Sequence, residues 1–137
     1  MNEQLHRQIA DLAARLDHVW VATAGADRRP HLATTGRLAF AEGDRVVLTE
    51  WFCPATVENA RAAPAVAIVV WGGGGEEGFQ LLGTIEEIRE HGVLDGYDPA
   101  LRGRQPMPQV RREMIVRVDQ VLRFHPGPHT DLPEPAD

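Results

Sequence analysis

The residues best suited to chemistry crowd into one stretch, Arg45 to Trp71, which reads RVVLT, then EWFCPATVENARAAP, then AVAIVVW. The pattern predicts strand, loop, short helix, strand. The loop enters the helix through Pro54, with Ala55 and Thr56 in the first turn. Backbone N–H groups at that position have no intrahelical partner and bind anions, so a phosphate fits there. Cys53 stands at the same helix start, where a thiol loses its proton more readily, although a small buried cysteine is the commoner role of that residue type. Trp51, in the loop above this shelf, is the tryptophan best placed to stack on a flat ring. Tryptophans mostly serve packing, so at least one of Trp20, Trp51 and Trp71 is expected in the core. Glu50 is the least expected neighbour of an anion. Read on its own it is a solvated loop acid.

The helix that carries Thr56 is too short and too alanine-rich to be stable alone, so the apolar strands on both sides must hold it. Val66 to Trp71 is continuously apolar, as expected of a strand buried on both faces. Upstream, Leu5, Ile9, Leu12, Ala13 and Leu16 recur at helical spacing behind the N-cap candidate Asn2, and predict an amphipathic helix whose stripe needs a sheet to cover. From His18 onward the texture is β-rich: HVWVATA, HLATTGRLAF and RVVLT, separated by GADRRP and AEGD, the latter a hairpin turn. A further hairpin joins the apolar strand to FQLLGTIEEI through GGGGEEG, which lacks the lysine and following helix of a phosphate loop. Arg89 to Arg112 reads as an ordered loop with at most a helical turn or two around Asp98 to Arg102. Met114 to Phe124 reads as a last strand, and the proline-rich tail as a segment that frays. The expectation is one domain over 1–125 with a flexible tail over 126–137. It is mainly β: a six-stranded antiparallel barrel with an N-terminal helix and a short helix between strands.

Composition narrows the partners. The chain has 137 residues, 43% of them hydrophobic, which suits a single domain with a real core. A net charge of -6 argues against a nucleic-acid backbone as partner. Cys53 is the one cysteine, so no intrachain disulfide forms and no Cys/His cluster has zinc-ligand spacing. No apolar run is long enough to cross a bilayer, and a cytoplasmic protein is expected.

VATAGADRRPHLATTGRLAF, DRVVLTEWFCPATVENARAAPAVAIVVW and GFQLLGTIEEI together resemble the FMN-binding split-barrel family that includes the pyridoxamine 5'-phosphate oxidases. The closest likeness is to its small FMN-binding proteins. The elements come in the family's order: a Gly-x-Pro-His-like turn, a T-x-x-N helix followed by Pro and a buried strand, and the glycine in LLGT. The resemblance implies a homodimer of six-stranded split barrels with FMN in the groove between subunits. It places cofactor contacts on Thr34, Thr35 and Gly36, on the run from Thr49 and Glu50 through Trp51 to Cys53, and on Ala55 and Thr56. Many relatives carry a lysine directly before this threonine, where the present chain has Ala55. Loss of that charge-assisted contact weakens binding unless Arg37, Arg61 or a partner's arginine replaces it.

Read without the resemblance, Thr56 is a helix-turn hydroxyl, Asn59 satisfies local backbone, and Thr34 and Thr35 are ordinary strand residues that put one hydroxyl on each face. Gly36 reads first as a bulge and second as a close approach to a ring. The expected function is an FMN-binding flavoprotein that transfers electrons or hydride to or from a small substrate or redox partner, the cofactor carrying the chemistry. Two alternatives stand beside it: a reductase using a deazaflavin, and a cofactor-free ligand-binding dimeric barrel.

Overall fold

The computed structural model describes residues 1–50, 54–72, 74, 77–94, 109–126 and 132–135. Asn2 accepts a 2.8 Å hydrogen bond from Leu5 N and opens helix α1 (Glu3–Leu16), which ends at Asp17 in the left-handed region (φ 61°). Leu5, Ile9 and Ala13 fall on one face at helical spacing and are buried against the sheet. The strands are β1 (Val19–Ala24), β2 (Pro30–Thr35), β3 (Arg37–Ala41), β4 (Arg45–Glu50), β5 (Ala65–Val70), β6 (Gly78–Leu94) and β7 (Gln109–Phe124), with α2 (Pro54–Ala62) between β4 and β5. All are antiparallel, in the order β2-β1-β5-β6-β7-β4-β3.

The two edge strands of that order, β2 and β3, are consecutive in the chain and separated only by Gly36. The sheet therefore curls until its edges meet at one corner, where the Thr35 hydroxyl donates to Thr49 O at 3.4 Å. This is the split barrel expected from the sequence, with seven strands among the described residues where six were expected. HLATTGRLAF is the reason for the difference: its first half pairs with β1 and its second with β4, so one continuous β-rich run serves two ladders. Gly36 marks that corner.

The barrel interior is filled by alternate residues, among them Val19, Val21, Val46, Leu48, Val66, Ile68, Val70, Leu81, Met114 and Val116, with α1 closing one end. The β3–β4 hairpin forms at AEGD, with Gly43 and Asp44 both at positive φ, and β5 pairs with β6. Gly83, the glycine of LLGT, sits at a register shift opposite Val118, where a Cβ would come within 2.6 Å of Arg117 O; the closeness of β7 demands glycine there.

Two expectations need correction. The segment from Arg89 to Arg112 is not all loop: β6 runs on to Leu94 and β7 begins at Gln109, in the register Arg89↔Glu113, Glu90↔Arg112 and Leu94↔Gln109. Polar pairs across this ladder, the ion pair of Arg112 Nη2 with Glu90 Oε1 at 3.5 Å and the contact of His91 Nε2 with Glu113 Oε2 at 3.0 Å, support strands that carry no apolar alternation to announce them. The expected helical turn around Asp98 to Arg102 lies outside the described residues. Second, β5 is buried on one face only: Val66, Ile68 and Val70 face the core, while Ala67 and Val69 are half-buried.

The tail also contributes a contact that its composition did not announce. β4 leaves β7 at Arg117, and Leu132 to Glu134 return along the vacated edge through Arg123 N to Leu132 O (3.1 Å) and Glu134 N to Val121 O (2.8 Å).

Candidate functional site

Of the expected site residues, the corner where the barrel edges meet brings together Thr35, Gly36 and Thr49. Inward along β2 the register places His31, Ala33 and Thr35 beside Thr23, Val21 and Val19 of β1. Thr35 is buried and bonded to Thr49 O, whereas Thr34 points outward and is exposed, opposite Trp20. Thr49 is half-buried and lies opposite Arg37 on β3 and Glu113 on β7. Glu50 ends β4 opposite Arg112 in the ladder. Trp51 and Cys53 lie outside the described residues. Beside the corner, Gly36, Arg37 and Leu38 face Ala13, Ala14 and Asp17 of α1 across a groove of about 550 Å³.

From the end of β4 the chain enters α2, which packs across β1 and β2. Its buried residues are Thr56, Val57 and Ala60; Ala55 is half-buried and Pro54 exposed. Thr56 is 1% exposed, and its hydroxyl has no hydrogen-bond partner among the described residues. A buried hydroxyl without a partner costs free energy that ordinary packing does not repay, so in native proteins such a group calls for an explanation.

Asn59, read from sequence as a local backbone partner, does something else with its side chain. Its Nδ2 donates across to Thr23 Oγ1 at 3.2 Å, and its Oδ1 lies so close to Gly25 that a Cβ there would approach to 2.5 Å. Thr23 is itself buried, at 4% exposure. Thr23 and Gly25 are the residues that sequence reasoning missed. The one available signal was a threonine among the inward apolar positions of β1.

The cations proposed as substitutes for the missing lysine occupy different places. Arg61 is in the last turn of α2, about 7.5 Å further along the axis than Thr56 at 1.5 Å per residue. Its guanidinium reaches Glu90 at 3.5 Å, away from the helix start. Arg37 is next to Gly36 at the corner itself.

Neither described tryptophan belongs to the buried core: Trp20 and Trp71 are both half-buried, and Trp20 meets His18 edge-on at 5.7 Å. On the outer surface Trp20 pairs with Val69, Ala22 with Ala67, and Ala22 with Leu32, whose side chain is 60% exposed. These residues form an apolar stripe across β2, β1 and β5.

Residues 5–125 match the family described as pyridoxamine 5'-phosphate oxidase, and the chain belongs to that family. No curated protein matches it. Among solved structures it is similar to HupZ of Group A Streptococcus, at 18% identity and a TM-score of 0.67 over 96% of this chain and 99% of that one. It is also similar to an F420 reductase, at 20% identity and a TM-score of 0.57 over 81% and 93% of the two chains. A third is a pyridoxamine 5'-phosphate oxidase-related, FMN binding protein of Nostoc punctiforme, at 13% identity and a TM-score of 0.64 over 90% and 83%. At these identities the likeness is one of fold. Among the described residues no helix is long and apolar enough to cross a membrane.

Proposed function

We propose that this protein is a homodimeric oxidoreductase that binds FMN, with the cofactor phosphate at the start of α2. The observation that carries the reading is the Thr56 hydroxyl, buried in the first turns of a helix and without a partner among the described residues. A phosphate oxygen supplies the acceptor this donor lacks, and the N–H groups of the first turn add to it. The residues present thus fit an anion there. Thr35, Gly36 and Thr49 would line the approach to it, Arg37 would contribute a positive charge from the corner, and Trp51 and Cys53 follow Thr49 and Glu50 on the way to the helix. Bound FMN would supply electron or hydride transfer for a small substrate or redox partner. The chain's share is to bind and orient it.

Family membership and the neighbour named as FMN binding support this choice of cofactor. The apolar stripe of Trp20, Leu32 and Val69 supports the dimer, because a second copy would cover a face that the barrel leaves half-exposed. A cytoplasmic location remains part of the proposal.

A deazaflavin-dependent reductase is the second reading. It is favoured by the absence of a basic side chain in the first turn of α2, where Pro54, Ala55 and Thr56 stand, and by the neighbour named F420 reductase. The absorbance spectrum of the purified protein, before and after addition of FMN or the deazaflavin, separates the readings. A bound flavin spectrum with FMN preferred over the deazaflavin is the expected result. A preference for the deazaflavin selects the second reading, and a colourless protein that binds neither selects a cofactor-free barrel.

A further inference from the structure

The sequence of α2 leaves its orientation under-determined. Nine residues, PATVENARA, bury only Val57 and Ala60 as apolar anchors, and side chains this small permit a helix to roll and slide on the sheet beneath it. Yet an anion site made of one hydroxyl and first-turn N–H groups depends on aim, since hydrogen bonds weaken steeply with angle. Something besides apolar contact must fix the roll.

Asn59 has the required geometry. It lies three residues after Thr56, so the two side chains share one face of α2, one turn apart. Its Nδ2 donates to the buried Thr23 hydroxyl at 3.2 Å, while its Oδ1 rests against Gly25, where no Cβ is present to push it away. The carboxamide is thus held from two sides by β1 and the turn that follows it. Neither contact belongs to the local backbone, and neither involves the residues that would touch a cofactor.

We infer that Asn59, held between Thr23 and Gly25, is a positioning residue that sets the roll of α2 and so aims Thr56 and the first-turn N–H groups at the phosphate of the cofactor. The inference rests on the reading of α2 as the phosphate site. It adds that affinity for the phosphate is controlled from a contact one turn further along the helix. Loss of the clamp lets the helix turn, and only the part of the ligand that depends on aim should notice.

The test compares FMN with riboflavin, which lacks the phosphate, by fluorescence titration of the full chain. Thr23→Val and Asn59→Ala should each weaken FMN by about tenfold, equivalent to about 1.4 kcal/mol, and leave riboflavin within about twofold, less than about 0.5 kcal/mol by the same conversion. Thr23→Ser keeps the hydroxyl and should restore the FMN preference. Gly25→Ala reaches the clamp from its other side by forcing Asn59 to move, without deleting any polar group, and should also lower FMN affinity selectively. It carries the test should Thr23→Val fail to fold. If the wild type prefers FMN and the variants keep that preference, or if they weaken both ligands equally, the positioning role is overturned while the phosphate site stands. If the wild type itself binds FMN and riboflavin alike, the phosphate site falls, and the inference falls with it.

Discussion

The two helices of this barrel are held by opposite means. Helix α1 lays Leu5, Ile9 and Ala13 on the sheet, begins at a bonded N-cap and stacks His6 on Phe40 at 4.4 Å. Its attachment is mainly apolar, with His6 Nε2 also meeting Asp44 at 3.4 Å. Helix α2 buries Thr56, whose hydroxyl has no partner among the described residues, and is tied to β1 through the polar contact of Asn59 with Thr23. One helix closes the core, and the other puts polar groups where packing alone would have chosen methyls. That difference is the reason the cofactor phosphate is proposed at α2 and not at α1.

Substitutions on the two helices should therefore separate stability from ligand affinity. The largest effect is expected at Ile9, which is fully buried. Ile9→Ala should cost about 2–5 kcal/mol of stability in urea denaturation, with the ratio of FMN to riboflavin affinity unchanged. A change in that ratio would mean that α1 also shapes the site.

Thr56→Val should do the reverse. Removing an unsatisfied hydroxyl should leave stability unchanged or raise it by up to about 1 kcal/mol, while FMN affinity falls by about 1–2 kcal/mol and riboflavin affinity holds. Equal losses for both ligands would make Thr56 a packing residue and erase the contrast between the helices.

Ala55→Lys tests the missing cation. Affinity for FMN should tighten by about 1 kcal/mol, the scale of one charge-assisted hydrogen bond, with riboflavin again the control. No gain would show that the corner around Arg37 already supplies the charge. Asn2→Ala removes the cap of α1 and should lower the denaturation midpoint by about 1 kcal/mol of stability, with no effect on either ligand.

The smallest effect belongs to the exposed ion pairs on the outer face of β4, β6 and β7. There Arg45 is bonded to Glu86 and Arg89 to Glu87, and the Thr84 hydroxyl and Arg117 donate to Asp119. Each bond holds its carboxyl below the usual carboxylate range. Stability from a lowered carboxyl pKa is present above the ordinary value and is lost as pH falls through the folded one. A slight loss below about pH 4 is expected, and less of it in high salt, because the pairs are exposed. Equilibrium denaturation at pH 5 and pH 3 measures it, and an Ile9-sized change would require buried carboxylates instead.

What could be read in advance follows the same division. Helix α1, the β3–β4 and β5–β6 hairpins and the mainly β class were legible because each is announced by local periodicity or turn chemistry. The short helix α2 was legible from its entry through Pro54 and the apolar strands on either side. The extension of β6 and β7 between Arg89 and Arg112 was not, since those strands are supported by charges across the ladder that show no alternation along the chain.

The sequence by itself determined which residues prefer helix, which alternate into a core, and that one short helix after β4 offers unpaired N–H groups. These are properties of neighbours in the chain, and local sterics and hydrophobic spacing decide them. Only the tertiary structure decided that HLATTGRLAF divides at Gly36 between two edges of one sheet. Only there does Thr35 meet Thr49, and Asn59 reach back to Thr23 and Gly25. Those contacts join residues up to 36 positions apart. Their geometry depends on how the whole sheet curls, a quantity that no window of sequence contains.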